Sequence, residues 1–194
     1  MSDKLDRIEK ALSRLAQRQD EICQHIAGLE QKLAGLAPGS APSSEEVIRF
    51  LDQFRAGEAL GESSLGAWIA VCEDPCLRGG LRTVQTREGS HARLLEERIK
   101  ELGGTPRFEL PEAIQRSAME GAGTRERPDA QKVREFVGRF PDVEQALKPI
   151  EDMAARLAAD PETQSLLRTI ARDECATLQW FHEVCAQLGP GLAD

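Results

Sequence analysis

Two residues that could bind a metal, Glu88 and His91, are three positions apart in an amphipathic segment. A helix places residues at this spacing on one face, so a carboxylate oxygen and an imidazole nitrogen could bind the same ion. Glu174 lies in a second amphipathic segment, with Thr177 three positions after it. Both glutamates interrupt an apolar stripe, and a buried carboxylate costs several kcal/mol unless it is paired, protonated or bound to a metal. These segments therefore predict a cation site inside the protein.

Two further predicted helices carry carboxylates at the middle of their apolar faces. In the first, Glu58 and Glu62 are one turn apart, and either could be the ligand. In the third, Glu144 and Glu151 lie at about the same level. A cluster of four inward carboxylates needs a cation. The candidate metal ligands are Glu58, Glu62, Glu88, His91, Glu144, Glu151 and Glu174.

Two other residues leave the number of metal ions open. Thr177 stands where a histidine would repeat the Glu-x-x-His pattern, and a neutral hydroxyl is a poor substitute for it. Lys148 follows Glu144 by one turn, and its ammonium could neutralise the carboxylates in place of a second metal. The residues thus allow one ion, two ions or none.

An internal repeat predicts the helices that position these groups. Residues 74–88 align without a gap with residues 160–174, an offset of 86. Each segment begins with Asp-Pro, which is typical of a helix start with aspartate as the N-cap and proline at the first helical position. The repeat therefore predicts two antiparallel hairpins, with helices near residues 45–73, 75–102, 129–159 and 161–188.

Turn and breaker residues refine this arrangement. Ser43 or Ser44 is expected to cap the first helix, and Gly103 to follow the end of the second. Pro141 and Pro149 predict that the third helix is kinked or split. Residues 104–128 then form a long crossover between the hairpins.

The N-terminal segment has a different period. Between residues 5 and 36 apolar side chains alternate by three and four, with Gln19 as the one interruption, which is typical of a coiled coil. A lone helix of this kind would expose its leucines, so we expect it to pair with copies of itself. The predicted organisation is a coiled-coil oligomerisation helix at 1–36, a linker at 37–44 and a helical domain at 45–190.

Composition narrows the function classes. The net charge is −8, with acidic and basic residues interspersed, so nucleic acid is not an expected partner. No stretch free of charges is long enough to span a bilayer, and the N-terminus is charged where a signal peptide is apolar, so we expect a cytoplasmic protein. The five cysteines form no Cys-x-x-Cys pair, and there is no tyrosine. A tyrosyl radical is therefore excluded.

Two hairpins, a long crossover and inward-facing Glu and Glu-x-x-His residues resemble the ferritin-like di-iron carboxylate superfamily, in particular its rubrerythrin and bacterioferritin types. The segment REGSHARLLEERIKELGGTP, residues 87–106, looks like the second helix of the rubrerythrin-type members. The resemblance covers residues 45–190 and implies an all-α, ferritin-like four-helix bundle, preceded here by the coiled coil. It also implies that Glu88 and Glu174 bridge or chelate two irons and that His91 binds one of them.

Two functions follow from this resemblance. One is an iron-binding protein, with manganese or zinc as other candidate metals, that has ferroxidase or oxygen-activating oxidase activity despite an incomplete second metal site. The other is a catalytically inactive ferritin-like scaffold that forms homo-oligomers through its coiled coil. The sequence does not indicate a redox partner.

Overall fold

The computed structural model describes residues 41–188, and this part of the chain is helical throughout, without a strand. The predicted all-α class is confirmed for these residues. The coiled coil predicted at 5–36 and the first half of the linker predicted at 37–44 lie outside them. The helices are α1 (Ser44–Val71), α2 (Pro75–Glu101), α3 (Glu112–Gly123), α4 (Asp129–Arg139), α5 (Val143–Arg156) and α6 (Pro161–Gln187).

Side-chain caps define where the long helices begin. Ser43 accepts a hydrogen bond from the first turn of α1. Asp74 and Asp160 do the same for α2 and α6, and each is followed by a proline at the first helical position. Gly103 has a φ of 79°, the left-handed conformation that ends a helix and that glycine adopts without strain. These local expectations from the sequence are confirmed.

The third predicted helix is two helices, α4 and α5, and Pro141 lies between them. Proline has no backbone N–H to donate, and Asp142 caps the new helix by accepting from Gln145 N at 3.0 Å. Pro149 lies inside α5 and does not end it. The split therefore comes from Pro141 alone.

The crossover contains a helix that the sequence did not predict. It is α3, which packs against α1. Ile114, Ala118 and Ala122 are partly buried and four residues apart, so they form a narrow apolar stripe on α3. Small residues make this stripe weak as a sequence signal.

Packing joins neighbours along the chain and also the two hairpins. Helix α1 packs along α2, α5 along α6, and α2 and α4 both contact α6. Among the described helices, none combines the length and the apolar character that a membrane-spanning helix needs.

The buried apolar residues of the described chain form two clusters, and α1, α2 and α6 contribute to both. The first cluster includes Leu51 of α1, Leu95 of α2 and Ile170 of α6. The second cluster includes Leu65 of α1, Val84 of α2 and Phe181 of α6.

Candidate metal centre

Three polar side chains meet between the two apolar clusters, one from each of α1, α2 and α6. Glu58 Oε2 lies 3.0 Å from His91 Nδ1, and Glu174 Oε1 lies 3.1 Å from the same nitrogen. One ligand atom from each residue lies within 4.8 Å of the other two. Glu58 is 5% exposed and His91 is 3% exposed, while Glu174 is partly buried. The group can therefore hold one metal ion.

The hydrogen bonding of this group leaves one oxygen unsatisfied. An imidazole nitrogen carries at most one proton, so Nδ1 of His91 can donate to only one of the two carboxylates that face it. It is hydrogen-bonded to Glu58, and Glu174 Oε1 is buried without accepting a hydrogen bond from any described residue. A buried oxygen without a donor is unusual and needs an explanation. A cation among these three groups would supply one.

Asp173 contacts the other side of the histidine ring. Its Oδ2 lies 3.3 Å from His91 Nε2, and its side chain is half-exposed. Histidines that bind a metal through one nitrogen usually donate the N–H of the other to a carboxylate, which fixes the ring orientation and the tautomer. Asp173 stands in that position. The sequence did not single it out, because its place beside Glu174 looks like a solvated charge.

Glu88 joins the group through Glu58. The two carboxyl groups share a hydrogen bond, and burial, followed by the negative charges of Glu58 and Glu174, raises the pKa of Glu88 to about 9. Glu88 is therefore protonated at neutral pH and donates to Glu58. Its carboxyl group rests against Gly61, where a Cβ would overlap Oε2. The glycine thus makes room on α1 for this side chain.

Burial and the neighbouring charged groups act in opposite directions on the pKa values of Glu58 and His91, and both values end higher than usual. Burial raises the pKa of Glu58 to about 7, although its hydrogen bond with His91 opposes the shift. For His91 burial lowers the pKa, but the carboxylates of Glu174 and Glu58 beside the ring outweigh it and raise the pKa to about 10. Without a metal, the carboxylates are therefore held together by protons on Glu88 and His91.

The choice between the two glutamates of α1 follows from the packing of α1 against α2. Glu58 reaches His91, whereas the carboxylate of Glu62 lies against Gly89, where a Cβ would overlap it. Glu62 is not part of the three-residue group. The structure thus brings together Glu58, Glu88, His91 and Glu174.

The two glutamates predicted on the third helix are not in the site, and this prediction was wrong. Glu144 and Glu151 are exposed on α5, because Leu147 and Ile150 form its buried face. The prediction relied on the level of these residues along the third helix, and it did not consider which face of the helix after Pro141 is apolar.

The predicted neutralising role of Lys148 was also wrong. Lys148 is exposed, and its Nζ lies 2.8 Å from the carboxylate of Asp152 on the same helix.

A different cation, Arg87, contacts Thr177, which stands where the second histidine would be. Thr177 is 2% exposed, and Arg87 Nη1 lies 3.4 Å from its Oγ1. His182 lies apart from the group and contacts the carbonyl oxygen of Phe140 at 2.8 Å.

In comparisons with known proteins, no family model, curated protein or solved structure matches this chain. Function is therefore inferred from the chemistry of the residues in the site. Two carboxylates and one imidazole are a mixed oxygen and nitrogen ligand set, which suits iron, manganese or zinc. A centre with two metal ions does not fit these residues, because Glu144 and Glu151 of α5 are exposed and Thr177 provides no nitrogen.

Proposed function

We propose that this protein binds one divalent transition-metal ion, with iron as the first candidate and manganese or zinc as others. Glu58, His91 and Glu174 would hold the ion, and Asp173 would fix the orientation of the histidine ring. The observation that carries this proposal is the unsatisfied, buried Oε1 of Glu174, 3.1 Å from the nitrogen that Glu58 also faces. Leaving a buried carboxylate oxygen without a hydrogen-bond donor is costly, and a metal ion is a partner that fits two carboxylates and an imidazole.

The fold that we propose for this function is a ferritin-like four-helix bundle, in which α4 and α5 together take the place of the third helix. The repeated Asp-Pro helix starts and the packing of α1 along α2 and of α5 along α6 support it. We further propose that residues 5–36 associate with copies of themselves as a coiled coil.

In this proposal a bound iron or manganese ion supplies redox chemistry, and the protein supplies its ligands and controls the protons. To hold the ion, Nδ1 of His91 would have to be deprotonated, because a nitrogen that binds a metal carries no proton. The remaining proton on Nε2 is then held by Asp173 at 3.3 Å.

A second candidate function is a scaffold without a metal. The raised pKa values of Glu58, Glu88 and His91 favour it, because protons on these groups reduce the repulsion between the carboxylates. In that case the cluster would specify how α1, α2 and α6 pack, and the protein would act through its self-association.

Metal analysis separates the two functions. Full-length protein purified without chelators is expected to carry about one metal ion per chain, measured by inductively coupled plasma mass spectrometry. His91→Ala should carry none, because it removes the nitrogen ligand. His182→Ala is the matched control, since this histidine lies outside the site, and it should retain the metal. Wild-type protein that takes up no iron, manganese or zinc at neutral pH would favour the scaffold.

A further inference from the structure

The internal repeat recurs as a pair of contacts across the interface between α2 and α6. The offset of 86 residues matches Arg87 with Asp173 and His91 with Thr177. In the structure, Asp173 of α6 contacts His91 of α2, and Arg87 of α2 contacts Thr177 of α6. In each case the residue directly before one repeated glutamate contacts the residue three positions after the other repeated glutamate. The same contact is made twice, once in each direction.

The two contacts have opposite electrostatic character. Asp173 brings a negative charge to an imidazole, which leaves the other ring nitrogen able to bind a metal. Arg87 instead brings a positive charge to a hydroxyl that is a poor metal ligand. A guanidinium does not lose its proton in proteins, so this charge is permanent. A second divalent ion beside Thr177 would be repelled by it.

Most of the other ligands that a second ion would need are also missing. Glu144 is the repeat equivalent of Glu58, and it is exposed on α5. Glu151 is exposed as well, and Lys148 pairs with Asp152. Glu174 offers one oxygen to the first position, so its other oxygen is the one that a second ion could use. The charged group beside Thr177 is the guanidinium of Arg87, which α2 contributes from the first hairpin.

We propose that Arg87 takes the place of a second metal ion, so that the centre is limited to one divalent cation. This inference rests on the proposed function, because it assigns the number of ions to the site proposed there. Arg87 is then a specificity-determining residue that contacts Thr177. Replacing Thr177 with histidine alone should not create a second position, because the guanidinium remains beside it.

Stoichiometry measured by native mass spectrometry tests this proposal. Full-length wild type, Thr177→His, Arg87→Gln and the double variant Arg87→Gln/Thr177→His are loaded with Mn²⁺ in excess and desalted. We expect one ion per chain in the first three proteins and two in the double variant. The matched control is Arg82→Gln/Thr177→His, which removes an exposed arginine from the same helix and should stay at one ion.

A second measurement uses only the wild type, so it does not depend on whether the variants fold. Electron paramagnetic resonance of the Mn²⁺-loaded protein should show the six-line signal of an isolated ion. An exchange-coupled pair, or two ions per wild-type chain, would overturn the inference and leave the proposed metal binding intact. A folded double variant that still holds one ion would also overturn it. Wild type that binds no Mn²⁺, iron or zinc would overturn both proposals.

Discussion

The two hairpins contain the same repeated sequence, yet they contribute unequally to the site. The first, α1 and α2, supplies Glu58, Glu88 and His91, whereas α6 alone supplies Glu174 from the second. Helix α1 runs unbroken for 28 residues, and Glu58 lies at its middle between the two apolar clusters. Its repeat equivalent, Glu144, lies in the exposed first turn of α5.

The difference shows how one helix break can make the two copies of a repeat contribute different residues to a site. After Pro141 the chain starts α5 anew, and its buried face is set by Leu147 and Ile150. The carboxylate that would complete a symmetric site is thereby turned to solvent. On α6 the equivalent of His91 is Thr177, which Arg87 contacts. The second hairpin therefore lacks the matching ligands, and its Thr177 is contacted by a cation from the first hairpin, which is consistent with a centre for one ion.

The largest expected effect comes from removing the histidine from the first half of the repeat. In metal-free protein, His91→Ala leaves Glu58 and Glu174 buried without their shared cation, and breaking a buried ion pair in this way typically costs about 3–5 kcal/mol. Its repeat equivalent, Thr177→Ala, removes one long hydrogen bond and should cost about 1 kcal/mol. Urea unfolding with a chelator present measures both. Equal losses would mean that the two halves are not functionally distinct.

The second prediction concerns pH. The ordinary pKa values of glutamate and histidine are 4.5 and 6.5, and the folded protein raises those of Glu88 and His91 to about 9 and 10. Above pH 7 the native state therefore retains protons that the unfolded chain has lost, so their contribution to stability decreases as pH rises. This contribution is complete only below the unfolded values.

We expect metal-free protein to lose about 2–4 kcal/mol of unfolding free energy between pH 7 and pH 8.5, since each of the two retained protons contributes a slope of about 1.4 kcal/mol per pH unit. Denaturant titrations at several pH values, with a chelator, measure this slope, and His91→Ala should reduce it. The metal should act in the opposite direction, because raising the pH removes the protons that compete with it. A stability that increases from pH 7 to pH 8.5 would show that these groups are not protonated in the folded state.

Local sequence rules account for much of the fold. Ser43, Asp74 and Asp160 were identified as helix starts because capping depends on neighbouring residues alone. The choice between Glu58 and Glu62 did not follow from such rules, because both lie one turn apart on the same face of α1. It depended on how α1 packs on α2, which places Glu62 over Gly89.

The errors and omissions have equally specific causes. Glu144 and Glu151 were chosen for their level along the third helix and not for the face that they share with apolar residues, and this wrongly placed them inside. Asp173 and Arg87 were missed because each flanks a candidate ligand and looks like an ordinary surface charge. The repeat offset pairs these two positions and was the signal that could have identified them.

The smallest expected effect tests how α1 makes room for the first half of the site. A Cβ at Gly61 would overlap the carboxyl group of Glu88, whereas a Cβ at Gly57, one turn earlier, would meet nothing within 4 Å. Gly57→Ala should therefore stabilise the protein by up to about 1 kcal/mol, the difference in helix propensity. Gly61→Ala gains the same propensity but pushes Glu88 away from Glu58, so it should be less stable than Gly57→Ala by about 1–2 kcal/mol. Thermal unfolding of the two variants in parallel measures the difference, and equal stabilities would mean that Glu88 moves aside without losing its hydrogen bond.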